Sequence, residues 1–251
     1  MPIRYDIENK TVLVTGANRG IGKVITETFL EKGAKKIYVA VRNLDTALSL
    51  IEQYGKRVEA INIDLERPET IIAASQRAGD VEVVVNNAGV NTRSTPLDKD
   101  AVDSLNYEME INVNGLIRMA QAFSPVLKKN GGGVFIQINS VASIKNFVPI
   151  ATYSASKAAA YSITQALRDM LDKQGTFVMS VHPGPIATDM IAAVPEILEI
   201  AEPPKVVADN IIAALSSGDF HVFPDRMARE MKKAYQNFAE NIIEANISDN
   251  K

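Results

Sequence analysis

The 251-residue chain contains no cysteine, which excludes disulfides and thiolate catalysis and suits a reducing compartment. No apolar run approaches the ~18 residues that a membrane span needs. The first ten residues are polar and charged, without the apolar stretch of a signal peptide. Nor is one sign of charge in excess: 27 Lys and Arg stand against 30 Asp and Glu, a formal net charge of −3. A basic face for nucleic acid is therefore not expected. The densest basic clusters are pairs, Lys35-Lys36, Lys128-Lys129 and Lys232-Lys233, read as solvated helix ends and faces. These absences lead to the expectation of a soluble, cytoplasmic protein with no membrane or nucleic-acid partner and no metal site.

What is present is ordinary for a globular protein, with 46% hydrophobic and 23% charged residues. The length fits one large α/β domain or two small ones. Strand-like runs at Thr11–Thr15, Lys36–Val41, Val58–Ile63, Glu82–Asn86, Val134–Asn139 and Phe177–His182 alternate with helical segments. The helices are expected over Gly20–Lys32, Leu44–Tyr54, from Pro68 toward Gly79, Ala101–Val113, Gly115–Lys129 and Tyr153–Asp172. Near-continuous apolar strands in such an alternation imply a doubly wound parallel sheet of about seven strands with helices on both faces. No linker, repeat or low-complexity tract divides the chain, so a single domain over residues 1–251 is expected. The last ~70 residues are less regular. A loop with a helical piece covers about 186–204, followed by a helix at Lys205–Ser216, a short strand at Asp219–Phe223 and a C-terminal helix over about 226–246. Met227, Met231, Tyr235, Phe238 and Ile242 form an apolar stripe on that last helix. It is expected to pack on its own domain, with a dimer contact or a flap over the substrate as alternatives.

Two patterns carry chemistry. Gly16-x-x-x-Gly20-x-Gly22 follows the first strand and opens a helix. There, glycines let the backbone approach a pyrophosphate, and the helix N-terminus offers it free N–H groups. The second strand ends Val41-Arg42-Asn43 with no acid until Asp45, and Arg19 lies inside the glycine loop. Two guanidiniums without a carboxylate suit a 2′-phosphate, so NADP(H) is the expected cofactor. The other pattern is Tyr153 and Lys157, four residues apart and hence on one helix face. A free tyrosine has a pKa of about 10, and a neighbouring ammonium favours the phenolate. The pair therefore predicts a phenol made acidic enough for proton transfer near neutrality.

With Ser140 thirteen residues before Tyr153, Asn112 a further 28 upstream, and Asn86-Asn87-Ala88-Gly89 between Asn112 and the glycine loop, the ordered set resembles the short-chain dehydrogenase/reductase family over roughly residues 8 to 190. The resemblance implies a Rossmann-type fold and a catalytic set of Asn112, Ser140, Tyr153 and Lys157. It implies that Gly16, Asn18, Arg19, Gly20, Ile21 and Gly22 cradle the dinucleotide, with Arg42 at its 2′-phosphate, Asp64 and Leu65 at the adenine, and Asn87, Ala88 and Gly89 along the cleft. Tyr153 and Lys157 also touch the cofactor in this family's pattern, as do Pro183, Gly184, Ile186 and Thr188 beside the nicotinamide. Neither His182 nor His221 matches a family role, and both are expected to be structural. Ser143 stands where relatives often have glycine, a change expected to be tolerated.

The implied activity is NADPH-dependent carbonyl reduction, or alcohol oxidation, on a small-to-medium apolar ketone, aldehyde or secondary alcohol. Met190, Ile191, Val194, Ile197, Leu198 and Ile200, with Phe147, Val148 and Ile150 opposite, are the expected substrate lining. Alternatives are a 3-oxoacyl-thioester reductase and, from another class, a non-catalytic NADP-binding sensor. The C-terminal portion lacks the Val-Asp-Gly-Gly ending of many tetrameric relatives, which lowers the acyl-carrier-protein reading. A homo-oligomer, dimer or tetramer, is expected, with a dimer through residues 115–130 and 153–172 preferred.

Overall fold

The structure is a computed structural model that describes residues 5–244. Seven parallel strands form one sheet in the order β3-β2-β1-β4-β5-β6-β7. They are β1 (Thr11–Thr15), β2 (Lys36–Val41), β3 (Val58–Asn62), β4 (Val83–Asn86), β5 (Val134–Ile138), β6 (Phe177–Val181) and β7 (His221–Val222). Their side chains alternate between two cores, as a two-residue period demands. Val12 and Val14 of β1, Val83 and Val85 of β4, and Val134 and Ile136 of β5 enter one core. There they meet Ile25 and Phe29 of α1 (Gly20–Glu31) and Val207, Ile211 and Leu215 of α8 (Lys205–Ser217). Leu13, Val84 and Phe135 point the other way. They pack on Leu116, Met119, Phe123 and Leu127 of α5 (Gly115–Lys129) and on Ala160, Tyr161 and Leu171 of α6 (Ala151–Asp172). Val12 pairs with Val83 and Val14 with Val85, so strand order reverses between β1 and β4. That opens the crevice at the strands' carboxyl ends where such sheets take ligands.

The remaining elements are α2 (Leu48–Tyr54), entered through a 3₁₀ turn at Leu44–Ala47, α3 (Pro68–Arg77), α4 (Ala101–Met109), a four-residue α7 (Pro195–Leu198) and α9 (Arg226–Phe238). Two expected helices end differently from the plain α pattern. A π turn occupies Glu110–Asn114 between α4 and α5, and another, Ala239–Ile243, follows α9. The first has a local cause. Asn112 Oδ1 accepts from Val90 N at 2.9 Å and Nδ2 donates to Val90 O at 3.0 Å, a two-way clamp that a regular helix would turn away from Val90. Of the expected helix over 226–246, residues 245 and 246 lie outside the described ones. Its stripe divides: Met227, Met231 and Tyr235 pack against Val141, Phe223 and Ala228, whereas Phe238 and Ile242 are half exposed. Among the described residues no helix is long and apolar enough to cross a membrane.

Candidate active site

A cavity of about 580 Å³ runs along the carboxyl ends of β1, β2, β4, β5 and β6. At its floor Gly16, with φ +63°, turns the chain out of β1. The helix that follows begins at Gly20, and its N-cap residue Arg19 makes no side-chain cap, so the first N–H groups of α1 are left for a ligand. Gly22 sits one turn in, where a Cβ would stand 2.4 Å from the Gly16 carbonyl oxygen and 2.5 Å from Asn87 Nδ2. It packs the turn against the helix and does not itself line the cavity. Thr15 ties this floor to β4, its hydroxyl accepting from Asn87 N at 2.9 Å and Ala88 N at 3.0 Å. These features fit a dinucleotide pyrophosphate: a turn with glycine at both of its ends and uncapped donors, opening on a cleft lined by the ends of several strands.

Gly16, Asn18, Arg19, Gly20, Ile21, Arg42, Asp64, Leu65, Asn87, Ala88, Gly89, Ser140, Tyr153, Lys157, Pro183, Gly184, Ile186 and Thr188 all line the cavity. The Asp64 carboxylate accepts from Glu66 N at 3.1 Å, which fixes it in its turn. Asn43 and Thr46, which the sequence reading passed over, stand beside Arg42 in the lining. Asn43 caps the following 3₁₀ turn by accepting from Asp45 N at 3.0 Å, so their only visible signal was that of an ordinary cap. Arg19 pairs with Asp189 at 3.2 Å, with both side chains about two-thirds exposed; such a contact is worth only about 0–1 kcal/mol and yields readily to a better anion. Thr188 leans over the glycine loop, its Cγ2 lying 3.3 Å from where a Gly20 Cβ would be.

At the other end, Tyr153 and Lys157 are buried one above the other in the first and second turns of α6. The Lys157 Nζ lies 5.8 Å from the Tyr153 ring centre and donates to the Ile138 carbonyl at 2.9 Å. Burial lowers the Lys157 pKa to about 8. Burial also pushes the Tyr153 phenol up to about 12, the neighbouring Ser140 hydroxyl working against this and the Glu108 charge adding to it. The Lys157 ammonium is not among the influences on the phenol, so the four-residue spacing by itself does not bring the expected acidic phenol at this depth. Asn112 lies outside the lining but next to it, since a Cβ on Gly89 would stand 3.0 Å from its Oδ1 and 3.6 Å from Lys157 Nζ.

Ser140 is held from behind by a chain of buried hydroxyls. Ser143 Oγ donates to the Ser140 carbonyl, so His182 Nδ1, 2.9 Å away, donates to Ser143. His182 Nε2 then accepts from Ser180 Oγ at 2.8 Å, which in turn accepts from Asn139 Nδ2 at 2.9 Å. Burial, with the nearby His221 and Lys157, lowers the His182 pKa to about 3 and keeps the ring neutral. Ser143 is consequently a working hydrogen-bond link. His221 is likewise enclosed, meeting Tyr161 Oη and Glu244 Oε1. Of the expected substrate lining, Met190 and Ile191 face the cavity while Val194, Ile197, Leu198 and Ile200 do not. Leu198, Ile200 and Val148 are exposed, because this stretch is mostly loop and covers no core. Phe147 packs with Met227 and Met231 against Val141, and Ile150 is half-buried outside the cleft.

The short chain dehydrogenase family model matches residues 10–198. The chain is 32% identical over 192 residues to a probable galactose dehydrogenase, GalD, of Rhizobium meliloti, covering 73% of this chain and 74% of that protein. It is 32% identical over 200 residues to the 7alpha-hydroxysteroid dehydrogenase of Escherichia coli K12, covering 76% and 77%. Among solved structures, a short chain dehydrogenase from Burkholderia cenocepacia in complex with NADP is 35% identical with a TM-score of 0.86, covering 95% of this chain and 99% of that one. A family model matched over three quarters of the chain's length and relatives above 30% identity place the chain in the short-chain dehydrogenase family of oxidoreductases.

Proposed function

We propose that this oxidoreductase is an NADP-dependent carbonyl reductase, reversible as an alcohol dehydrogenase, acting on a small-to-medium apolar ketone, aldehyde or secondary alcohol. The observation that carries the reading is the meeting of Ser140, Tyr153 and Lys157 in one wall of the same cleft whose far end holds the glycine turn and Arg42. When bound, the dinucleotide supplies or accepts the hydride. Tyr153, protonated well above neutrality, donates its proton to the carbonyl oxygen as that oxygen gains charge. The Ser140 hydroxyl donates to the same oxygen and holds it in line. Lys157, which donates to the Ile138 carbonyl, would also hold the ribose hydroxyls, and it returns a proton to the phenol and takes one back from solvent. Asn112 keeps the helix break beside Lys157 in place. Arg42, with Asn43 and Thr46 around it and Arg19 released from Asp189, favours a 2′-phosphate. The whole chain acts as one dinucleotide-binding and catalytic unit.

Met190 and Ile191 at the catalytic end support an apolar substrate over a polar one. The test is Tyr153→Phe assayed on a panel of aromatic ketones, short 3-oxoacyl thioesters and a sugar, each with NADPH and NADH. Loss of at least about 10²-fold in turnover with NADPH binding retained is expected. Full turnover by the variant rejects the phenol's role, and a preference for the oxoacyl thioester or the sugar replaces the substrate class.

A further inference from the structure

Asp225 stands at the head of α9, buried and outside the cleft lining, and nothing in the mechanism above uses it. Its Oδ1 accepts from Ala228 N at 3.0 Å, an ordinary N-cap. Its Oδ2 reaches 41 residues back along the chain and accepts from Gly184 N at 2.6 Å. The approach leaves no room for a side chain, since a Cβ on Gly184 would stand 2.5 Å from Asp225 Oδ1. A cap needs one acceptor; the second is directed at the wall of the cleft, which Pro183 and Gly184 line.

What that oxygen holds is a single peptide unit. The Pro183 carbonyl and the Gly184 N–H are the two ends of one planar group, so fixing one end fixes the direction of the other. The Pro183 carbonyl accepts from Val141 N at 2.9 Å and from the Ser140 hydroxyl at 3.3 Å. The path from Asp225 to Ser140 therefore consists of two direct hydrogen bonds and the peptide between them. A 3.3 Å O–H···O bond is long: it holds the hydroxyl's rotamer and gives way when a carbonyl oxygen takes over the proton. The first turn of α9 grips the same segment further on. Arg226 N donates to Glu202 Oε1 at 2.5 Å, and Glu202 N to the Pro185 carbonyl at 3.1 Å.

We propose that Asp225 is a positioning residue for the reaction: by holding the Pro183–Gly184 peptide it sets the Ser140 hydroxyl at the edge of the cleft, and the C-terminal helix so takes part in building the catalytic wall. The inference rests on the roles given to Ser140 and Tyr153 above. Two N–H donors require two acceptors, which an acid has and an amide has not. Asp225→Asn keeps the volume and one acceptor, and turns the other position into a donor facing an N–H. Asp225→Ser keeps the cap oxygen alone. Ala234→Gly loosens the same helix at an exposed position away from the peptide.

The experiment is single-turnover oxidation of NADPH by the best ketone of the panel above, with the full-length protein in excess. The parent is compared with D225N, D225S, A234G, S140A and D225N/S140A; melting temperatures, binding of adenosine 2′,5′-bisphosphate and Y153F are the controls. Hydride transfer in D225N and D225S falls by about tenfold or more, the effect of leaving a buried N–H without its acceptor. Adenosine 2′,5′-bisphosphate, which has no nicotinamide, binds within about twofold of the parent, because its half of the cleft is remote from the change. On the S140A background the Asp225 change costs less than about twofold, since the hydroxyl it positions is gone. A234G melts earlier and keeps the parent's rate. If D225N is not recovered folded, D225S and D225S/S140A carry the same expectations. With Y153F inactive, three results overturn the inference and leave Asp225 as a helix cap: the parent's rate in the Asp225 variants, an equal loss with and without Ser140, or the same loss in A234G. An active Y153F or a parent-like S140A rejects the assigned wall itself, and this inference with it.

Discussion

The end of the cleft made by the glycine turn and the end made by residues 186–204 are built on opposite terms. The first stands on buried strands, and its backbone is packed so closely that a Cβ on Gly22 meets an oxygen at 2.4 Å. The second is a loop with one four-residue helix, closed on itself by an isolated bridge from Ile186 to Glu202, with Leu198 and Ile200 exposed. A ligand shared by all members of a family needs a fixed receptor. A substrate that differs between members, as the galactose and hydroxysteroid names of two relatives illustrate, is met by a segment that little else depends on.

The contrast can be broken most directly at the rigid end. Gly22→Ala forces the α1 helix away from the Gly16 turn, costing about 1–3 kcal/mol and weakening NADPH binding at least about tenfold, read by denaturation and by cofactor fluorescence titration. Unchanged binding would mean that the turn is more compliant than its contacts indicate. Acid is the next lever. The unfolded chain's imidazole takes up a proton below about 6.5, whereas His182 in the fold does so only near 3. Its contribution is therefore complete above pH 6.5 and is lost as the pH falls toward 3, by about 2 kcal/mol between pH 7 and pH 5. His182→Gln should flatten that part of the stability–pH curve in urea titrations, and an equally steep curve would assign the loss to other groups. Arg42→Asp places a carboxylate beside the ribose edge and should shift the NADPH-to-NADH ratio of kcat/KM toward NADH by about tenfold or more; no shift would detach Arg42 from the extra phosphate. The smallest effect belongs to the loose end. Ile200→Ser should change stability by less than about 0.5 kcal/mol and the KM for an apolar ketone by less than about twofold. A large rise in KM would show the segment closing on substrate and would erase the contrast.

The legibility of the molecule follows the same division. Strand β1 and helix α5 begin and end where their apolar spacing ends, because a two-sided core leaves one answer for a Val- and Leu-rich run. The cleft-lining set was readable because a glycine turn before a helix means the same chemistry wherever it occurs. The π turn at Glu110–Asn114 was not, since it depends on Asn112 reaching Val90, 22 residues away. The direction of the Tyr153 shift was missed for a related reason. The four-residue spacing says that an ammonium is near and says nothing of how much water both groups have lost. Ser143 was read as a tolerated departure because its partner His182 is 39 residues away.

The π turn also constrains how this stretch can vary in length. Each residue added to or removed from a helix rotates everything before it by about 100°. Deleting any residue between Glu110 and Asn114 would swing the α4 face away from α6 and break the Asn112 clamp on Val90. Asn112 apart, this stretch can vary in composition far more readily than in length.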